Sequence, residues 1–531
     1  MWIALEADAP PDPEEEDNPF SEPSVARTSS RQSQSTDHSD AAFPVPRRKS
    51  SRSFIAQGNA TFLTECSFEV AHDALIKHIT DAEPYLVHWE RLKRIDLSGK
   101  GIDSVARLKE FLPLIEQVDL NNNRISWLTG LPSTVLRLSI ASNALTGLAA
   151  YNHIPRLQYL NISHNQVETF QLLNGLVNLR ELHADYNCLT SLDGLESISL
   201  RVLTVRGNDI RNVDMRMTQW HDLEILDLSQ NRICDIQGVD ILQSLVTLNL
   251  DGNRLEYFSV LGSRLPALRA LRLSDNRLTT LNVFGLDSLR TLYADNNKLS
   301  EVIGLEDCHT VHNLSLRNQS QKLYVRRNPL PTQFFCCPLP NLIYAELSSC
   351  QLATLPVLRQ MMPHIMTLVL NWNHFRHLDF LADLRHLQRV VAVGCRVETL
   401  EMDPILGGLR ELRELDLRMN TFTLGWYLPV KTEDDRKHRQ QATTGGKTSE
   451  HDLQSSSITT PEDLDKKYRR GLPDELYVPR AMWRGLAMEC CPTIDRLDGL
   501  DINDKERIKI RKLLVQLRQS GLVLDRPGES M

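Results

Sequence analysis

The stretch Leu223-Glu-Ile-Leu226-Asp-Leu228-Ser-Gln-Asn231-Arg-Ile233 decides how this chain folds. Leucines stand at its first, fourth and sixth places, asparagine at the ninth and an aliphatic residue at the eleventh. The phrase returns as Leu268-Arg-Ala-Leu271-Arg-Leu273-Ser-Asp-Asn276-Arg-Leu278. Its asparagine recurs as Asn123, Asn143, Asn165, Asn187, Asn208, Asn231, Asn253, Asn276, Asn297, Asn373 and Asn420, in steps of 20 to 23 residues from Asn123 to Asn297. A fixed period of that length marks stacked units, each burying its apolar side against its neighbours.

Each part of the phrase has a physical reason. The core x-L-x-L-x is a short strand whose alternate residues face inward, and parallel strands about 4.8 Å apart make fifteen of them span roughly 70 Å. The asparagine side chain both donates and accepts, so it can satisfy backbone groups where the chain leaves the strand. The return path often begins as in Gly175-Leu-Val-Asn-Leu179 or Gly285-Leu-Asp-Ser-Leu289, with room for a helical turn and no full helix. This is a leucine-rich repeat. The expected fold class is an α/β repeat: a leucine-rich-repeat solenoid of the short intracellular type, about 22 residues per unit, with a parallel concave sheet, helical caps and disordered tails.

Fifteen units are counted over 92–426. Four lack the asparagine and carry Lys100, Gln319, Cys350 or Cys395 there. The step from Gln319 to Cys350 is 31 residues and contains Leu323-Tyr-Val-Arg-Arg-Asn328-Pro-Leu330, read as a bulged half-repeat or an inserted loop. Residues 1–60 are Ser-, Pro- and charge-rich, cannot bury enough apolar surface to offset ordering, and are expected to be disordered. Residues 61–91 place Phe68, Ala71, Leu75 and Ile79 at helical spacing and form the expected N-terminal cap. Residues 427–467 read as a disordered insertion, 468–518 as the C-terminal cap and 519–531 as a tail. The last helix, about Asp504 to Leu517, brings Ile508, Leu513, Leu514 and Leu517 near one face to seal the solenoid end.

Composition narrows the function. Net charge is -8 and the pI about 6.1, so no global basic field points to nucleic acid. No apolar run is long enough to span a membrane, and the acidic N-terminus is no signal peptide. The ten cysteines show no spacing suited to zinc and are read as reduced thiols of an intracellular protein. No cofactor or metal is implied.

The outward strand positions form the expected concave face. Two columns, running from Asp96 to Asp416 and from Ser98 to Arg418, hold eight acids and four arginines. We expect a protein-binding face that includes Asp185, Arg206, Asp227, Asp251, Arg272, Tyr293, Asp295 and Arg317, with Asp227, Asp251 and Asp295 as an acidic patch for a basic partner. An open sheet does not enclose carboxylates as proton transfer requires, so catalysis is not expected. Ser50 and Ser51 follow Arg47-Arg48-Lys49, and Thr460 precedes Pro461, making these three candidate phosphorylation sites.

The closing P-x-I-x-x-L-D-G of Pro492 to Gly499 looks like the C-terminal cap of intracellular leucine-rich repeats, and Leu314-Ser-Leu-Arg-Asn-Gln319 with Leu415-Asp-Leu-Arg-Met-Asn-Thr-Phe-Thr-Leu-Gly-Trp-Tyr427 resemble the fungal spindle-pole-body scaffold of the septation initiation and mitotic exit networks. Animal centriolin has a similar repeat region. The resemblance implies a non-enzymatic scaffold in the cytoplasm, on the cytoskeleton at the spindle pole body. Its implied partners are a small GTPase module, kinases and spindle-pole components. That family carries a long phosphorylated region ahead of its repeats; about 60 residues stand there in this chain, which reads as a shortened form or a C-terminal portion. The alternative is a leucine-rich-repeat regulatory subunit of protein phosphatase 1, a class expected to lack the long insertion before the cap.

Overall fold

The computed structural model describes residues 75–86, 88–260, 265–319, 338–400, 405–430 and 460–519. The N-terminal tail, Ser50, Ser51, the segment Leu323 to Leu330 and the last twelve residues lie outside them.

Fifteen three-residue strands, from Arg94–Asp96 to Glu414–Asp416, lie side by side in one parallel sheet. The middle residue of each points inward and is buried, as with Leu226, Leu248 and Leu271. The two flanking residues point outward, the alternation a strand imposes. Register is uniform: Leu226 pairs with Leu248, Leu248 with Leu271 and Leu271 with Leu292. Uniformity follows from burial, because slipping one residue would turn each leucine to water. Across the long 31-residue step, Leu314 still pairs directly with Ala345.

The return paths hold single 3-10 turns, such as Gln171–Leu173, Leu305–Asp307 and Asp379–Leu381. In the middle of the array they also hold strands that the sequence reading did not include. Asn212–Asp214 pairs with Asp235–Gln237, and Tyr257–Phe258, Thr280–Asn282 and Glu301–Ile303 form a three-stranded parallel sheet. In three of the five an apolar residue stands between polar ones, and Val213, Phe258 and Leu281 are buried. Three-residue alternation is too short to stand out in a sequence.

At the N-terminal side residues 75–82 are helical, with Leu75 and Ile79 in the core and Tyr85 and Leu86 left exposed. At the other side three helices follow: α1 (Pro461–Arg470), α2 (Asp474–Cys490) and α3 (Asp504–Gln519). The start of α1 corrects the expected disordered insertion, whose limit at 467 falls inside this helix. The signal was legible. Thr460 caps the helix by accepting from the Asp463 amide at 3.2 Å, Pro461 stands in the first turn, acids follow and Lys467, Arg469 and Arg470 close it. In α3 the buried face is Ile510 and Leu514, while Ile508 is 58% exposed. Ile508 and Ile510 are two positions apart, so the helix turns them to different faces.

The sheet continues into this cap. Arg496–Leu497 adds in parallel to Glu414–Asp416, with Leu497 beside Leu415, and turns back as the antiparallel strand Leu500–Asp501. Asp498, wholly buried at that turn, accepts from the Leu417 amide at 2.9 Å, the Tyr427 hydroxyl at 2.6 Å and Trp483 Nε1 at 2.8 Å. Burial and then the Asp416 charge raise its carboxyl, while the Tyr427 and Leu417 hydrogen bonds and the Arg484 charge hold it down. Arg480 grips both Asp465 oxygens at 2.7 Å and donates to the Trp426 carbonyl. Arg484 joins Glu506 to the Leu497 carbonyl.

Candidate protein-binding face

The asparagine ladder is what holds the outward strands in place. Asn231 Nδ2 donates to the carbonyls of Val205 at 2.9 Å and Leu228 at 3.0 Å, and its Oδ1 accepts from the Ile210 amide at 3.1 Å. Asn253 repeats this one unit on, with Leu228, Leu250 and Ile233. Every such side chain ties its own turn to the preceding unit.

Three of the four substitutions do not break the ladder. Gln319 donates to Ala294 and Leu316 and accepts from the Leu299 amide, reproducing the full set. Cys350 and Cys395 keep the donor half: their thiols reach the carbonyls of Leu316 at 2.9 Å and Leu370 at 3.0 Å. Burial pushes the Cys395 thiol up to about 12 and the Cys350 thiol higher still, so both remain protonated donors.

The residue before each asparagine takes the left-handed conformation: φ is +56° at His164, +53° at Tyr186 and +58° at Trp372. Tyr186 and Trp372 lie flat over the glycine of the next unit. A Cβ on Gly394 would stand 2.4 Å from the Trp372 ring, and one on Gly207 2.6 Å from Tyr186. With Gly394 itself at φ +67°, Gly394→Ala is expected to lower unfolding stability by about 1–3 kcal/mol. A urea midpoint equal to that of the parent would remove this close-packing account.

The outward acids have a second duty. Strand alternation leaves some amides pointing out, and the side chains of the face accept from them. Asp185 accepts from the Arg206 amide at 2.8 Å, Asp251 from Ser274 at 2.7 Å and Asp295 from Arg317 at 3.0 Å. Asp227 accepts from the Ser229 amide and from the Asn249 side chain. Two of the three acids of the expected patch already carry a cationic partner. Arg272 Nε lies 2.7 Å from Asp251 and Arg317 Nε 2.9 Å from Asp295, so both charges are already neutralised. Burial raises the Asp251 carboxyl, and the Arg272 bond opposes it. These acids are rungs of the backbone, which is why the column favours Asp, Asn and Ser.

The groups facing solvent are aromatic and cationic. Arg206 stands over Tyr186 at 5.6 Å and Arg272 over Tyr293 at 5.5 Å, while Arg137 covers Tyr159 at 4.1 Å. A hollow of about 350 Å³ opens between Arg272, Tyr293, Asp295, Arg317 and Glu346. Glu346 accepts from Tyr344 and Ser348; burial raises its carboxyl and, more strongly, the Tyr344 hydroxyl, to about 12. The structure thus brings Asp251, Arg272, Tyr293, Asp295 and Arg317 to one place, with Asp185, Arg206 and Asp227 in earlier units. Thr460 stands apart, as the exposed cap of α1.

A second edge ladder was missed in the sequence. Thr134, Thr310 and Thr493, each one residue before the first buried residue of a unit, bond the Ile115, Leu289 and Leu412 carbonyls of the unit before. Asn178 and Asn341 reach Pro155 and His309 likewise. The signal is Thr or Asn before that first aliphatic residue. Among the described residues no group of His, Cys, Asp and Glu is arranged to hold a metal, and no helix is long and apolar enough to cross a membrane.

The chain is a leucine-rich-repeat solenoid, and models of that repeat match residues 155–197 and 198–255. Among solved structures, the chain is similar to a leucine-rich-repeat protein of Leptospira interrogans at 22% identity and TM-score 0.48, over 66% of this chain and 94% of that one. Over 471 residues, 84% of its length, the chain is 29% identical to the septation initiation network scaffold protein cdc11 of Schizosaccharomyces pombe. It is 26% identical over 256 residues, 43% of its length, to protein NUD1 of Saccharomyces cerevisiae. The chain spans 44% of the length of the first and 29% of the second.

Proposed function

We propose that this chain is a non-enzymatic scaffold that binds proteins through the open face of its large sheet. It anchors GTPase and kinase components of mitotic exit and septation at the spindle pole body. The observation that carries the reading is likeness along 84% of the chain to a septation scaffold, not to the repeats alone. The open face supports it, since arginine and tyrosine, the residues that dominate interface energetics, are what it leaves to solvent. Arg206 and Tyr293 are the proposed contacts, with Arg272 and Arg317 held in place by Asp251 and Asp295.

The test is to image the tagged chain through mitosis and to identify its bound proteins. Concentration at the poles with septation components is expected. A diffuse signal with phosphatase 1 as the main partner would overturn the reading in favour of a phosphatase regulatory subunit. Arg206→Ala with Tyr293→Ala should weaken the captured partner at least tenfold, about 1.4 kcal/mol or more. Unchanged affinity in this folded double variant would move the binding surface elsewhere.

A further inference from the structure

The outward position between the two inward residues is polar in thirteen of the fifteen units and valine in two, Val369 and Val391. The second outward column adds Val393 in the same place. The strand register sets Val369 beside Val391. These side chains belong to the open face, yet they are only 7%, 9% and 4% exposed, in a cluster separate from the main core. What packs against them, with Met419, is Val430. The Val430 amide donates to Met419 Sδ at 3.3 Å.

Val430 belongs to a segment that starts from a fixed point. Tyr427 is bonded to Asp498, the Trp426 carbonyl to Arg480, and the Gly425 carbonyl to the Tyr468 hydroxyl at 2.9 Å. From Tyr427 three residues reach Val430, a span of roughly 10 Å when extended. Proline at 429 biases Leu428 toward extended backbone and restricts the free chain, so little entropy is lost on laying it down.

We infer that Leu428-Pro429-Val430 is a built-in strap: Leu428 and Pro429 are its exposed arm, and Val430 is the tip that covers an apolar site on the open face of the last three units. The face is therefore divided. Units up to the twelfth present arginine, tyrosine and paired acids. The valine site behind them is self-occupied, and lifting the strap uncovers a surface that takes an extended apolar peptide of the same kind. The location of the site rests only on the packing above; its use by another protein rests on the proposed scaffold function.

The full chain carrying Val430→Asp tests this without any partner. A charge at 430 cannot remain on three valines, so the strap should lift. Binding of the dye ANS should rise severalfold, and amide exchange in the peptides covering 367–372 and 389–394 should quicken at least tenfold, with 225–293 unchanged. Adding Val391→Asp should abolish the extra dye binding. The peptide Ac-Tyr-Leu-Pro-Val-NH2 should displace dye from Val430→Asp and leave the parent unaffected. Val430→Gly, which removes the contact without a charge, should reproduce the direction of these changes. Dye binding and exchange equal to the parent in both variants would overturn the strap. Loss of recruitment to the poles, with the strap responses intact, would instead count against the scaffold reading alone.

Discussion

Replacing Asp498 by alanine is expected to release the C-terminal cap from the last repeat, at a cost of about 4 kcal/mol or more. Three donors converge on this carboxylate, from the Leu417 amide, Tyr427 and Trp483, and all three are buried. Alanine leaves each without an acceptor, and an orphaned buried donor costs about 1–3 kcal/mol. The loss spreads through what those donors hold. Tyr427 lies under the Arg480 guanidinium at 4.3 Å, and Arg480 also fastens α1 through Asp465. In a solenoid each unit is stabilised mainly by its neighbours, so an uncovered last unit frays inward.

The measurement is denaturation followed by the fluorescence of the buried Trp426 and Trp483, with hydrogen exchange across 474–519. An early transition in the cap, ahead of the repeats, is the expected result. A single transition within about 0.5 kcal/mol of the parent would sink the account. Asp498→Asn refines it. Asparagine tolerates the left-handed backbone at this position, φ +52°, and keeps an acceptor for the Leu417 amide. Its amide cannot accept from both Tyr427 and Trp483, so the variant should fall between parent and alanine.

The repeat was legible because its period is carried by leucines that have no alternative to burial. The cap motif was legible for the same reason: Ile494 and Leu497 take the inward places of one more unit, and Asp498 is the group that makes the motif specific. Other features were hidden by chemistry that sequence does not separate. An outward aspartate looks the same whether it waits for a partner or accepts from the next amide. Asp251 and Asp295 do the second, and only the distances to Ser274 and Arg317 tell the two apart. The three valines on the open face stand in the outward columns of the sequence, but nothing in the pattern connects them to Val430, 61, 39 and 37 residues further on. The opening of α1 was overlooked because the polar run before it drew attention from a cap, a proline and a charge gradient at 460–470.

Asn253 is the second position where a large effect is expected, and the ladder's own exceptions predict its order. In Asn253→Ala the carbonyls of Leu228 and Leu250 and the amide of Ile233 lose their partner inside the protein. Three buried polar groups left unpaired should cost about 3 kcal/mol or more, against about 1 kcal/mol for a typical surface cap. Cysteine should cost less, because the thiols of Cys350 and Cys395 still donate to the preceding unit. Glutamine should cost least, since Gln319 makes both donor contacts and accepts from Leu299. Equilibrium denaturation of Asn253→Ala, Asn253→Cys and Asn253→Gln should therefore give stabilities rising in that order, with exchange in alanine fastest at 225–250. If alanine matches glutamine, the asparagine is a spacer in the turn and the bonds between units are not what holds the solenoid together.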